Sequence, residues 1–165
     1  MALALELVPR SKKRIIREMM QFYLYDFTYY LNIELTDKGR FPEYPDLDEF
    51  WSRPGRKFPY LIYSGFHIAG FALVDRLDNG EADYYMTEFF ILHKYRRSGV
   101  GTWAACELFR RYPGRWKVTQ VSNNLAAQTF WRRIIGEYTE EQYVEKLEPD
   151  HGGPSQYFNS FRQLV

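Results

Sequence analysis

The run His93-Lys94-Tyr95-Arg96-Arg97-Ser98-Gly99-Val100-Gly101-Thr102 places two glycines directly behind a cluster of basic side chains. Apolar Phe89-Phe90-Ile91-Leu92 precedes it and Trp103-Ala104-Ala105 follows, so strand, turn and helix succeed one another without a linker. A helix start exposes N–H groups that have no partner in their own first turn, and the aligned peptide dipoles favour negative charge there. Gly99 and Gly101 carry no Cβ, so a bulky anion can approach the backbone directly. Lys94, Arg96 and Arg97 add positive charge. The guest that suits such a turn is a phosphate or pyrophosphate.

Glu88 is the second group able to do chemistry. It lies in the apolar-aromatic run Tyr84-Tyr85-Met86-Thr87-Glu88-Phe89-Phe90, where a carboxylate costs stability unless it is paired or solvated. Its residue type and place leave three readings open: a base, half of a salt bridge, and a solvent-facing strand position. His67, His93 and His151 fall one each in a strand, a turn and a loop, and no spacing among them suits a metal site. Cys106 sits in the helix after the turn and reads as a core residue. As the single cysteine it excludes an intrachain disulfide, which suits a reducing compartment.

The elements that must position these residues follow from periodicity. Residues 2–8 alternate as a strand, and Ser11 is a plausible N-cap for a long helix with Ile15, Met19, Tyr23, Phe27 and Leu31 on one face. Residues 32–57 are irregular, with room for a short helix near 47–51. Strands are predicted over 58–63 and 67–77, joined at Ser64-Gly65, then near 82–92 after Asp78-Asn79-Gly80. A helix over 100–111 ends at Pro113-Gly114; a strand over 115–122 and a helix over 124–135 follow. Segments 141–147 and 156–161 read as a closing hairpin. The order predicts an α/β (α+β) fold, a mixed sheet of about seven strands flanked by about four helices, in a single domain over 1–165.

Composition narrows the partners. A formal net charge of +1 provides no global field to recruit nucleic acid. No apolar run approaches the ~20 residues that span a bilayer, and the first residues alternate and carry Glu6, which makes a poor signal peptide. The expected location is cytoplasmic, without membrane association. An aromatic share of 19% points to a heavily packed core and an aromatic-lined cleft.

Three phosphate-binding patterns compete for the turn. Gly99-Val100-Gly101-Thr102-Trp103-Ala104 matches a dinucleotide fingerprint formally, but the next strand, Val118-Thr119-Gln120-Val121, lacks the acidic residue that pattern needs. No Gly-Lys-Ser/Thr ends the turn, so a P-loop is excluded. The third pattern is Arg96-x-x-Gly99-x-Gly101, followed downstream by Asn124-Leu125-Ala126-Ala127-Gln128-Thr129-Phe130-Trp131. These two segments, in this order, resemble the R/Q-x-x-G-x-G/A and N-x-x-A-x-x-F-Y motifs of the GNAT acyltransferases. The predicted element order is also similar along nearly the whole chain. The run from Glu88 to Arg96 looks like that of a group of uncharacterised bacterial proteins predicted to be acetyltransferases.

The resemblance implies acetyl-CoA as acyl donor, no metal, and transfer to a primary amine of a small molecule or peptide by direct attack in a ternary complex. It implies that the thioester arm inserts between two splayed strands, along the edge holding Phe90, Ile91 and Leu92. Ile91 and Leu92 would give backbone hydrogen bonds to the arm and the acetyl oxygen. Arg97, Ser98, Gly99, Val100, Gly101 and Thr102 would hold the pyrophosphate chiefly through backbone, while Arg96 would support the turn or a 3′-phosphate. Asn124 would cap its helix and touch the cofactor arm; Ala127, Phe130 and Trp131 would line it. Trp131 departs from the family, which often carries a tyrosine there to protonate the leaving thiolate. Tyr138 is the substitute named for that role, unless a thiolate of pKa about 8.5 leaves unaided. An amine of pKa about 10.4 costs roughly 4.6 kcal/mol to deprotonate at pH 7, and Glu88 is the candidate base, although its spacing from the turn differs from that of histone-type members.

The acceptor is less defined. An acidic rim of Glu34, Asp37, Glu43, Asp46, Asp48 and Glu49 would favour a cationic amine, or be a solvated loop. Tyr29, Tyr30 and Tyr44 would equally suit a mixed apolar amine. A CoA-binding module without turnover, or use of a longer acyl-CoA, are the alternative functions, and a homodimer is compatible with either.

Overall fold

A computed structural model describes residues 2–150 and 152–161; His151 lies outside them. The chain forms β1 (Leu3–Leu7), α1 (Lys13–Phe27), α2 (Glu49–Ser52), β2 (Lys57–Ser64), β3 (His67–Arg76) and β4 (Tyr84–Ile91), then α3 (Val100–Arg111), β5 (Arg115–Thr119), α4 (Leu125–Thr139), β6 (Tyr143–Glu148) and β7 (Gly153–Asn159). The strands make one sheet in the order β1-β2-β3-β4-β5-β7-β6. Among the described residues its single parallel pair is β4–β5, where α3 supplies the crossover that parallel strands require.

Each face of the sheet buries a separate apolar layer. Leu61, Phe71, Leu73 and Phe90 meet Ile16, Met19, Met20 and Tyr23 of α1 on one face. On the other, Ile62, Val74, Trp116 and Phe158 meet Leu108 and Phe109 of α3 and Ile134 and Ile135 of α4. Burying each such side chain contributes about 1.5–3 kcal/mol.

Element boundaries shift from the sequence reading for local reasons. Ser11 is not the cap of α1. Pro9 starts a 3-10 turn over Arg10–Lys12, closed by Lys12 N–H on the Pro9 carbonyl at 2.9 Å. Lys12 occupies the cap position without a side-chain cap, its ammonium instead reaching Glu6 at 3.0 Å. The helix stops at Phe27 and does not reach Leu31. Thr28 turns its hydroxyl back onto the Tyr25 carbonyl at 2.6 Å, and the chain leaves through a turn. β5 ends at Thr119 because the Gln128 amide takes the Val121 and Ser122 carbonyls, both at 3.0 Å, bending the chain into α4.

Candidate active site

Two irregularities open the sheet. β4 and β5 pair only at Tyr84↔Trp116 and Tyr85↔Lys117, and beyond Tyr85 they part. At the same point β4 carries a bulge: Leu73 faces Glu88 while its neighbour Val74 faces Met86, leaving Thr87 as the extra residue. Above the gap lies a cleft of about 910 Å³ walled by the end of α1, the end of β4, the glycine turn and the start of α4.

The turn has the conformation an anion cradle requires. Arg97 and Gly99 have φ of +59° and +84°, and Ser98 folds its hydroxyl onto the Tyr95 carbonyl at 2.6 Å. Gly99 is the N-cap of α3 and offers no side chain, so the first-turn N–H groups have no competing cap. Arg97, Gly99, Gly101 and Thr102 line the cleft. Val100 is buried in the core and offers only backbone. Gly101 has a second duty: a Cβ there would sit 3.2 Å from the Phe130 ring and 3.4 Å from Ile91. Its hydrogen lets α3 start flush against α4 and β4.

Arg96 braces this turn. Its Nε donates to the Ile91 carbonyl at 2.7 Å and its guanidinium pairs with Asp26 at the end of α1. His93 meets the same carboxylate at 3.0 Å. Burial alone would raise the Asp26 carboxyl, but the bonds from Arg96 and His93 hold it below its ordinary range. The arginine charge is thus matched within the protein, which favours the turn-supporting role over phosphate contact. Arg133 of α4 reaches Thr102 at 3.4 Å and lines the cleft; sequence reading passed over it, although it lies on the helix that Asn124 opens.

The exposed edge of β4 corrects one donor. The Leu92 N–H binds the Ala69 carbonyl of β3 at 2.8 Å, so it points away from the gap. Because backbone groups alternate along a strand, Phe89 and Ile91 face the opened side. The Ile91 carbonyl is held by Arg96, leaving its N–H as the edge donor. Phe90 packs its ring against Tyr23 and Phe71.

On α4 the Asn124 side chain accepts from the Ala127 N–H at 3.0 Å, a true N-cap. Asn124, Ala127, Phe130 and Trp131 all line the cleft. Trp131 packs edge-on against Phe89 with ring centroids 5.0 Å apart. Tyr138 is not brought to the cleft. It lies two helical turns further on, about 10 Å, buried, with its hydroxyl on the Ser160 carbonyl at 3.1 Å.

Glu88 is half-buried and takes hydroxyl donors on both oxygens, Tyr23 on one and Tyr44 at 2.7 Å on the other. Burial pushes its carboxyl above the ordinary range, and the two phenols offset part of that rise. The bulge places Thr87 on the same sheet face, where it bonds Asp75, itself paired with Lys57 at 2.6 Å. No cation meets Glu88 among the described residues, so the salt-bridge reading gives way to a carboxylate clamped by phenols. Tyr23 read as core packing from sequence; a hydroxyl inside an otherwise apolar helix stripe was the signal available. Of the loop acids, Glu34, Asp37 and Asp46 stand exposed and the other three are engaged within the protein. Asp48 pairs with Lys13 and Arg17, Glu43 with Arg17, and Glu49 with Arg53 and Lys57. Tyr30 reaches the cleft, whereas Tyr29 stands exposed in solvent.

A strand-turn-helix cradle beside a parted parallel pair is now in view, and the family comparison decides what it belongs to. The sequence model of the Acetyltransferase (GNAT) family matches residues 17–136. The chain belongs to that family. None of the curated proteins matches it, but solved GNAT folds do. An acetyltransferase from Thermus thermophilus superposes with a TM-score of 0.70 at 14% identity, covering 96% of this chain and 97% of that one. PaiA N-acetyltransferase from Thermoplasma acidophilum, solved with coenzyme A, gives 0.62 at 7%, covering 94% and 98%. A spermidine N-acetyltransferase mutant from Vibrio cholerae gives 0.59 at 10%, covering 96% and 94%. At these identities the likeness is one of fold. This GNAT chain therefore carries the family's architecture with a phenol-clamped glutamate on its bulged strand and tryptophan at position 131.

Proposed function

We propose that this GNAT chain moves the acetyl group of acetyl-CoA to a primary amine by direct attack in a ternary complex. The observation that carries the reading is the parting of β4 from β5 directly beside the glycine turn. The gap offers strand-like backbone partners to an amide-bearing arm, and the turn offers N–H groups to a pyrophosphate. The cleft volume falls within the ordinary range for ligand sites, about 300–1,000 Å³.

Bound in this way, the arm runs from Arg97–Thr102 along Phe89 and Ile91, with Asn124, Ala127 and Phe130 on its other side. The Ile91 N–H serves the arm, and Trp131 and Phe89 exclude water from its inner end. Glu88, behind the cleft wall, takes the amine's proton through an intervening water, and its burial favours holding it. The acceptor is a primary amine of a small molecule or peptide. Glu43, Asp48 and Glu49 lend no net attraction for a cation, since their partners are Lys13, Arg17, Arg53 and Lys57, and Glu34, Asp37 and Asp46 are exposed residues outside the cleft lining.

The test is release of free thiol from acetyl-CoA across a panel of amines, including spermidine, lysine and an aminoglycoside. Turnover with at least one amine, saturating in both substrates, is the expected outcome. A second reading, a CoA-binding module without turnover, draws on the indole at Trp131, which cannot act as an acid. Tight CoA binding with no turnover by any amine would favour it. Comparing acetyl-, propionyl- and succinyl-CoA fixes the acyl length.

A further inference from the structure

We propose that Tyr23 protonates the departing thiolate and is itself reprotonated by Glu88. The inference rests on the acetyl-transfer reading and supplies the acid that Trp131 cannot be.

Position is the first argument. α1 contributes Tyr23, Asp26 and Phe27 to the cleft wall, and the turn after it adds Tyr30. Asp26 is tied to Arg96 and His93 beside the glycine turn, which marks that end of the helix as the phosphate end. Tyr23 lies one turn back along α1, at the end where β4 bulges and where a thioester reaching inward along Phe89 would stop. Its ring is fixed between Phe27, Phe71 and Phe90, with centroids 4.7, 5.6 and 5.6 Å away. A ring so held aims its hydroxyl at one place.

Connectivity is the second. The Tyr23 hydroxyl donates to one Glu88 oxygen while Tyr44, from the loop after α1, donates to the other. Tyr23 lines the cleft and Glu88 does not. The phenol therefore stands between the thioester's space and the carboxylate. Trp131, by contrast, presents an indole N–H too weakly acidic to give up its proton.

The proton count closes. Glu88 takes one proton from the ammonium through an intervening water, and the free amine forms the N–C bond as the C–S bond breaks. Sulfur takes the Tyr23 hydroxyl proton while that oxygen regains one from the Glu88 carboxylic acid. The remaining excess proton on the new amide nitrogen leaves to solvent through the emptied Glu88. Amide, thiol and one proton result. Burial, then the neighbouring carboxylate, holds the Tyr23 hydroxyl well above the ordinary phenol range. A free phenolate is thus disfavoured, and the two transfers move together.

The decisive experiment varies the leaving group. Hydroxylamine is used as nucleophile because it is largely unprotonated at neutral pH and attacks without prior deprotonation; the proton its nitrogen sheds as the N–C bond forms is then the one that loads Glu88. With acetyl-CoA, Tyr23→Phe should lower kcat about 100-fold, the usual scale of general-acid help, while CoA affinity by calorimetry stays unchanged. With para-nitrothiophenyl acetate, whose thiolate leaves unaided, the loss should shrink to a few fold. Equal losses with both donors, or no loss with acetyl-CoA, overturn the proposal. Glu88→Gln can bond both phenols but cannot pass a proton. It should give the same pattern, which keeps the test decisive if Tyr23→Phe does not fold. Wild type that binds CoA yet releases no thiol with hydroxylamine or any amine removes the transfer reading itself, and this proposal with it.

Discussion

Glu88 joins two demands that oppose each other. A buried carboxylate is costly to keep ionised, and burial raises its folded pKa above the unfolded value although the two phenols offset part of the rise. The unfolded chain then loses its proton first as pH rises, so the native state binds more protons across the window between the two values. Stability falls with pH through that window. Glu88→Gln removes the charge and keeps partners for Tyr23 and Tyr44. The variant should gain thermal stability over wild type at pH 8, with the gain shrinking as pH falls toward the unfolded carboxyl range, while turnover drops about 100-fold. Paired melting curves at pH 5 and pH 8 check the first part; a constant difference in Tm would mean that Glu88 is not the group titrating. Asp26 has the opposite sign. Its folded carboxyl is held low by Arg96 and His93, so its contribution is present above the unfolded value and is lost in acid. Sequence drew attention to Glu88 because a charge stood alone in an aromatic strand. It did not reveal the phenols, since Tyr23 and Tyr44 come from segments 65 and 44 positions away.

At the scale of elements, two glycines of one motif are required for different reasons. Gly99 has φ +84° and open space around it, so Gly99→Ala meets only backbone strain, about 1–2 kcal/mol, and should weaken CoA binding with the fold retained. Gly101→Leu drives a side chain into Phe130 and Ile91. It should cost more, about 1–3 kcal/mol of overpacking, and shift α4 away from the cleft. Melting and CoA titration of both variants separate strain from crowding; equal destabilisation would erase the distinction. Asn124→Ala should lose a cap worth about 1 kcal/mol, and Asn124→Ser should restore it. CoA affinity that stays low in the serine variant would mean that the asparagine touches the cofactor as well. The motif spacing made the strand, turn and helix legible, and periodicity gave all seven strands. The edge assignment at Leu92 failed because which side a strand's N–H faces depends on register with β3, and register is set by the bulge near Thr87. Nothing local encodes that.

For the whole molecule, a net charge of +1 hides a local asymmetry. Glu43 and Asp48 pair with α1, Glu49 with Arg53 and Lys57, and Asp26 matches Arg96. Arg97, and Arg133 in a loose, exposed pair with Glu137 at 3.9 Å, then supply the cleft's positive charge. Neither is deeply buried, so their pull on a polyanionic cofactor is screened by salt within about 10 Å at 0.1 M. CoA affinity should therefore fall as salt rises. Arg133→Ala should weaken CoA about fivefold at low ionic strength, the effect of roughly 1 kcal/mol from one partly exposed charge contact, and should flatten the salt dependence. Dephospho-CoA locates the contact: if Arg133 meets the 3′-phosphate, wild type and variant bind that analogue equally, whereas a persistent difference assigns it to the pyrophosphate. Affinity for both ligands that ignores the substitution at low salt would mean that the turn's backbone alone holds the cofactor. Arg133 would then be a surface residue that happens to stand at the mouth of the cleft.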